Sequence, residues 1–343
     1  SEEDKAEYII RELYYYYLEN KGLPGSHRDI YRGMDQVEES DIICDYIAGM
    51  TDRYVINKFK EIFPKEHRLE ILKMIMEELG EMSKSMRIVG LTLGKNFLLD
   101  LVEQSIHDSS NIKISELNFE IDSDKNYKIL FLFDLQLRNL LQSPEELKEK
   151  VNNEKVDIII LGGDMVDTEE DIDILEEYLE GLESKYKYFV RGNHEYYLNE
   201  EILAKLNDTL ENMGYIDINN MNVSHSGFNL IGIDDFQSEK ADIEKAYRDL
   251  DIDNEFNLVI THNHDINYEI DKNELPADII ISGHTHGGQI NHFLVEPIKN
   301  TKLWKERGFF KGEYIFEGVN NNYRNYTVNG LGGSRVPLRY DAQ

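Results

Sequence analysis

The stretch Val156-Asp-Ile-Ile-Ile-Leu-Gly-Gly-Asp-Met-Val-Asp167 decides how the chain folds. Its apolar residues stand side by side rather than alternating, and several are β-branched. A strand of that kind has both faces buried, as the inner strands of a parallel sheet do. The run stops at Gly162-Gly163, a turn signal, and Asp164 and Asp167 follow the turn. In an α/β sheet the carboxyl ends of the strands gather on one edge, and ligands bind there.

The same pattern recurs on either side. Residues 128–133 lead into Asp134 and Gln136, and residues 186–190 lead into Arg191-Gly-Asn193-His194-Glu195. Residues 258–261 lead into His262, and residues 279–282 into Gly283-His284-Thr285-His286. Residues 230–233 form a further short apolar run. Amphipathic segments at 144–151 and 169–182 lie between the earlier runs. The first opens with Ser143-Pro144-Glu145-Glu146, a capping serine with proline at the first helical position. Strands alternating with helices define an α/β fold.

The N-terminal part reads differently. Ile9, Ile10, Leu13, Tyr16 and Tyr17 form one stripe at helical spacing. Ile42, Ile43, Tyr46, Ile47 and Met50 form a second, and the apolar residues between 69 and 79 a third, with a break at Gly22-Leu-Pro-Gly25. The expected organisation is a small all-helical region at 1–85, a connecting segment at 86–116 and an α/β domain at 117–343.

Among the 343 residues, 37 Lys and Arg face 67 Asp and Glu, a formal net charge of −30. That balance argues against an extended nucleic-acid groove, which needs clustered cations, and against a polybasic face on anionic lipid. A single cysteine, Cys44, cannot make an internal disulfide. A reducing, cytoplasmic location is expected, including one peripheral to a membrane. No window offers the roughly 20 apolar residues of a membrane span, and the acidic start at Ser1 is unlike a signal peptide. A chain opening on Ser rather than Met reads as processed, trimmed or cut from something longer. Oligomeric state is not legible.

The residues at the strand ends mix carboxylate, imidazole and amide with no thiolate. That donor set suits Mn²⁺, Fe²⁺/Fe³⁺ or Zn²⁺. The ligands suffice for two divalent metal ions if one carboxylate bridges. Ions about 3.5–4 Å apart clamp the attacking and leaving oxygens of an in-line displacement at phosphorus and acidify bound water.

Asp134-x-Gln136, Gly163-Asp164-x-x-Asp167, Gly192-Asn193-His194-Glu195, His262 and Gly283-His284-Thr285-His286 stand in the order of the calcineurin-like metallophosphoesterase superfamily, which this chain resembles over about residues 117–340. Gly283-His-Thr-His-Gly-Gly-Gln289, Asn329-Gly-Leu-Gly-Gly333 and Val336-Pro-Leu-Arg339 are similar to a bacterial phosphodiesterase subgroup. That subgroup is held near the membrane by an N-terminal anchor. The resemblance implies a β-sandwich flanked by helices. It also implies a dinuclear hydrolase of phosphomonoester, phosphodiester or diphosphate bonds, working by attack of a metal-bridging hydroxide. Asp164 is then the bridging ligand. Asp134, Gln136 and His286 hold one ion, and Asn193, His262 and His284 the other. His194 faces the leaving group, with Asp167 on its second ring nitrogen. The implied substrate is a phosphorylated small molecule or lipid headgroup.

This sequence departs from the superfamily at Gln136, where His is usual, which implies weaker binding or a shifted metal preference. It also ends soon after Tyr340, where relatives continue into a final strand, so an edge strand is expected to be missing. A catalytically weak metal-binding regulatory or interaction protein is the alternative. Its mark is metal content: near two equivalents per chain favours the enzyme, one or none the binder. Asp41-Ile-Ile-Cys-Asp45 to Tyr54, within residues 8–64, resembles the C-terminal segment of HD-type dGTP triphosphohydrolases. Counterparts of that family's metal-binding His and Asp are missing, so its reaction is not carried over.

Ordinary roles are expected elsewhere. Cys44 should be a buried packing residue, His264 should line the cleft, and His225 and His292 should be loop residues, as should His27, His67 and His107. Tyr14 to Tyr17 should divide between core and water. Met74, Met76, Met82 and Met86 should fill a core or interface. Gly330 to Gly333 should make a tight turn near the site, and Arg138 and Arg191 should meet either substrate phosphate or surface acids.

Overall fold

A computed structural model of the chain describes residues 10–18 except 12, 39–50, 55, 58, 112–121, 123–137, 140, 142–251, 256–288 and 301–332. The chain divides into two units, Ser1–Met82 and Ser83–Gln343. The Gly-Leu-Pro-Gly break, the third apolar stripe, the methionine group, Arg138, His27, His67, His107, His292 and residues 333–343 lie outside the described residues.

In the first unit, residues 13–18 are helical and α1 spans Glu39–Ala48. Leu13, Tyr17, Ile43 and Ile47 form its small core, at the spacings the stripes required. Tyr15 reaches solvent while Tyr17 is buried. Cys44, expected inside, is exposed: it sits next to Ile43 on the helix, a rotation of about 100° that carries it off the apolar face.

The second unit is a two-sheet sandwich with helices outside. One sheet has the order β1 (Ile129–Leu132), β2 (Ile158–Gly162), β3 (Tyr186–Val190), β4 (Ile216–Asp217), all parallel. The other has the order β5 (Met221–His225), β6 (Phe228–Ile233), β7 (Phe256–Thr261), β8 (Ile279–Ser282), β10 (Asn322–Thr327), β9 (Gly312–Glu317). Its inner strands β6, β7, β8 and β10 are parallel, and the edge strands β5 and β9 pair antiparallel.

Consecutive apolar residues serve two layers at once. Ile158 and Ile160 of β2 point between the sheets, where they join Leu258, Ile260, Ile279 and Ile281. Ile159 and Leu161 point outward to Leu147 and Val151 of α2 (Pro144–Glu154) and to α3 (Glu170–Leu179) and α4 (Glu200–Asn212). On the other sheet Ile231, Ile233, Val259 and Ile280 face outward to Ile266 and to Ile270 on α6 (Asn267–Lys272), which follows the short α5 (Ile243–Ala246). The α2 start is the expected capping box: Ser143 Oγ accepts from Glu146 N at 3.2 Å, and Ser143 N donates to Glu146 Oε2 at 2.8 Å.

His225 is not a loop residue. It ends β5, stacked 4.9 Å from Phe228 and edge-on to Tyr127, Tyr186 and Tyr188. The Tyr188 hydroxyl lies 3.1 Å from its Nε2. Burial, then the Lys185 charge, pushes its pKa below 6.5. A folded-state pKa below the unfolded value stabilises fully above that unfolded value, and the stabilisation is lost as pH falls through and beneath it. His225→Phe should therefore shrink the drop in melting temperature between about pH 7.5 and about pH 5. An identical drop in both proteins would contradict this.

Candidate metal centre

The strand ends deliver their polar residues to one place. Asp134 and Gln136 follow β1, Asp164 follows β2, Asn193 and His194 follow β3, His262 follows β7, and His284 and His286 follow β8. His262 Nε2 lies 3.2 Å from Asp164 Oδ2, 3.9 Å from Asp134 Oδ1 and 3.2 Å from His284 Nδ1. His286 Nε2 lies 3.5 Å from Asp134 Oδ1. Two donor groups result, Asp164 with His262 and His284, and Asp134 with Asp164 and His286. Within each, the ligand atoms lie within 4.8 Å of one another, and Asp164 belongs to both.

The backbone is strained to achieve this. Asp134, Gln136, Asp164, His284 and His286 all have positive φ, between 34° and 70°, in the region that side-chain-bearing residues avoid. Such strain persists only where surrounding contacts hold it. Asp134 N donates to Gly163 O at 3.0 Å, Gln136 N to Asp164 O at 3.2 Å, and His284 N to both Asp134 oxygens at 3.1 Å. Close approach demands glycine at two flanking positions. A Cβ on Gly192 would sit 2.3 Å from Asp164 Oδ1, and one on Gly283 would sit 2.5 Å from Asp134 Oδ2.

Two buried amide oxygens at these strand ends have no hydrogen-bond partner, Oε1 of Gln136 and Oδ1 of Asn193. Orphaned polar atoms are costly in a protein interior unless something absent from the protein atoms satisfies them. Divalent ions fit a donor set of such amide oxygens together with the carboxylates and imidazoles of the two donor groups.

Electrostatics reinforce the pairing. Burial pushes the Asp164 carboxyl up, but the imidazoles of His262, His194 and His284 outweigh burial and hold it well below the usual carboxylate range. Burial lowers the His262 pKa, yet Asp164, Asp134 and Asp235 carry it well above 6.5. Burial, helped by the His262 charge, pushes His284 down to about 3. His194 Nδ1 is hydrogen-bonded to Asp167, and its Nε2 lies 3.7 Å from Asp164 Oδ2. Burial opposes protonation of His194, and the Asp167 hydrogen bond with the surrounding carboxylates overrides it, raising the pKa to about 9.

Other residues fall elsewhere. Arg191 meets protein acids, one of the two roles expected of it: its guanidinium binds Asn207 Oδ1 at 2.9 Å, pairs with Asp217 and lies 4.0 Å from Asp234. His264, expected in the cleft, is wholly buried, with Nε2 2.6 Å from Thr301 Oγ1 and Nδ1 near Thr327 and Tyr314. Burial pushes it to about 3, so it is a neutral strut tying the His262 loop to α7 (Lys302–Arg307), which Thr301 caps. The described part of the glycine segment, residues 330–332, bends at the site, where Gly332 N donates to Asp134 O at 2.8 Å and Gly332 O lies 3.2 Å from His286 Nδ1.

Glu195 carries a role that the sequence reading did not assign. Its carboxylate, fully buried, accepts from the backbone N–H groups of Asp164 at 3.0 Å, Met165 at 2.6 Å, Val166 at 3.3 Å and Gly192 at 2.7 Å. Its position beside His194 drew attention to the imidazole instead. Its one sequence signal is a carboxylate directly after a glycine turn that leaves several amides unsatisfied.

A two-sheet sandwich with a shared carboxylate between two donor groups defines a metallophosphoesterase. The chain belongs to the calcineurin-like phosphoesterase family, whose model matches residues 106–288. Members of that family use a dinuclear metal site, and the chain is a metal-dependent phosphoesterase. It is 34% identical over 254 residues to the uncharacterized metallophosphoesterase YkoQ of Bacillus subtilis, covering 68% of this chain and 91% of that protein. It is 31% identical over 241 residues to an uncharacterized metallophosphoesterase of Helicobacter pylori strain J99, covering 66% of this chain and 60% of the relative. Residues 1–61 match the phosphohydrolase-associated domain. In that part the chain is 36% identical over 62 residues to a deoxyguanosinetriphosphate triphosphohydrolase-like protein of Caldanaerobacter subterraneus, covering 18% of each. Among the described residues, no helix is long and apolar enough to cross a membrane.

Proposed function

We propose that the protein hydrolyses a phosphodiester or diphosphate bond of a small molecule or lipid headgroup at a two-metal centre. Asp164 is the ligand common to both ions, Asp134, Gln136 and His286 complete one, and Asn193, His262 and His284 complete the other. The observation that carries the reading is the membership of Asp164 in both donor groups. Bound metal ions, Mn²⁺, Fe²⁺/Fe³⁺ or Zn²⁺, supply Lewis-acid polarisation of the phosphoryl group and acidify water at neutral pH.

The chain's own residues do the rest. Asp167 accepts a hydrogen bond from His194 Nδ1–H and holds the ring with Nε2 toward Asp164. From there Nε2 donates to the departing oxygen as general acid. Glu195 ties the Asp164 and Gly192 loops together, and the glycines at 163, 192 and 283 leave room for the close approach.

Purified protein with Mn²⁺ should bind near two equivalents per chain and cleave bis(p-nitrophenyl) phosphate or a nucleoside diphosphate ester. Treatment with a chelator should abolish cleavage, and readdition of Mn²⁺ should restore it. Two bound equivalents without cleavage of either substrate would leave a binding protein and defeat the enzyme reading.

A further inference from the structure

Glu195–Tyr197 is a single 3-10 turn, and its successive side chains point in three directions. Glu195 goes down to the loop amides, and the Tyr196 hydroxyl donates to the Asp234 carboxylate at 2.6 Å, with Lys240 over its ring. Tyr197 points outward and is 70% exposed. An exposed tyrosine alone is unremarkable. This one is tied to the site twice. Its hydroxyl accepts from Asn193 Nδ2 at 3.1 Å, and its ring lies 5.4 Å from the His194 ring.

In the first contact the Asn193 amide turns its nitrogen to Tyr197. An amide has one donor end and one acceptor end, and only the oxygen can bind a cation. With Nδ2 spent on Tyr197, the buried Oδ1, which has no protein partner, is the end left for metal. The second contact places an open aromatic face beside the imidazole assigned to the leaving group.

We infer that Tyr197 is a positioning and specificity residue: its hydroxyl locks Asn193 with Oδ1 toward the metal, and its ring is the wall on which a planar leaving group packs. The inference rests on the assignment of Asn193 as a ligand. It yields a substrate preference, for esters whose departing alcohol or phosphate carries an aromatic group.

Tyr197→Phe removes the hydroxyl and keeps the ring; Tyr197→Leu removes both. Mn²⁺ titration followed by electron paramagnetic resonance should show one of the two sites, the one Asn193 completes, loosened roughly 10-fold or more in Tyr197→Phe, as for other groups that orient a metal ligand. Relative kcat/KM for an aryl over an alkyl phosphodiester should be unchanged in Tyr197→Phe and fall roughly 3- to 10-fold in Tyr197→Leu. Asn193→Ala should lose that same site and leave the other. Wild-type Mn²⁺ affinity in Tyr197→Phe, with loss in Asn193→Ala, would overturn the orienting role alone. Retention of both sites in Asn193→Ala would overturn it through the ligand assignment beneath. An unchanged aryl preference in Tyr197→Leu would overturn the wall.

Discussion

Asp164→Asn is expected to cut turnover on the order of 10³-fold, about 4 kcal/mol of transition-state stabilisation, and to reduce bound Mn²⁺ from near two equivalents to one or fewer. No other side chain belongs to both donor groups found among the described residues. The substitution is nearly isosteric, and an amide oxygen at Oδ1 can still accept from His194 N, a bond 3.0 Å long here. The loops should therefore keep their places while the charge disappears. Three imidazoles, those of His262, His194 and His284, now hold the Asp164 carboxyl in its anionic form. A neutral amide offers them nothing equivalent and cannot bridge two cations with two anionic oxygens. Metal analysis on the folded variant and steady-state rates with excess Mn²⁺ decide the matter. Two retained equivalents together with a rate within tenfold of wild type would remove Asp164 from its assigned place.

How much of this was legible in the sequence follows from the physics of each element. β2 was readable because Ile158, Ile159, Ile160 and Leu161 are apolar on both faces and are all wholly buried. Tyr186–Val190 and Ile279–Ser282 were readable for related reasons, down to their ends. The last two strands, β9 and β10, were not. β9, Gly-Glu-Tyr-Ile-Phe-Glu, alternates buried and exposed residues over a short span, and β10, Asn-Tyr-Arg-Asn-Tyr-Thr, buries the polar Asn325 and Thr327, so neither shows the apolar run that marks a strand. β4, with two residues, has no pattern to read.

The site divides in the same way. Side chains with ligand chemistry announce themselves at strand ends, and those of Asp134, Asp164, His262, His284 and His286 meet. What sequence cannot carry is the backbone that holds them. Five of the proposed ligands sit at positive φ although none is glycine, and no local propensity predicts that. His264 illustrates the converse. Two residues from His262, it has the look of a cleft residue, and it turns inward because Thr301, Thr327 and Tyr314 satisfy it in the outer layer. The strain and the struts belong to one design: loops that will not adopt these conformations on their own are bolted from behind.

Glu195 is the strongest of those bolts, and Glu195→Gln tests it. The carboxylate accepts from backbone N–H groups on both the Asp164 loop and the Gly192 loop, with no solvent to replace it. Burial, and then the nearby Asp164 charge, raises its pKa, while the Gly192 and Met165 amides pull it down. The acceptor bonds are therefore what compensates an otherwise unfavourable anion. Gln has the same shape but puts an NH₂ where one oxygen stood, so donor meets donor on one side of the fork. Hydrogen bonds to a charged acceptor contribute about 1.5–3 kcal/mol each, so a loss of about 3 kcal/mol in unfolding free energy is expected from denaturant titration of the metal-free protein. Because the freed amides include that of Asp164, Mn²⁺ affinity should fall along with stability. Glu195→Asp, which keeps the charge but shortens the reach, should fall between wild type and Glu195→Gln in both measurements. A Gln variant with wild-type stability and wild-type Mn²⁺ affinity would show that the two loops hold their strained conformations without this carboxylate.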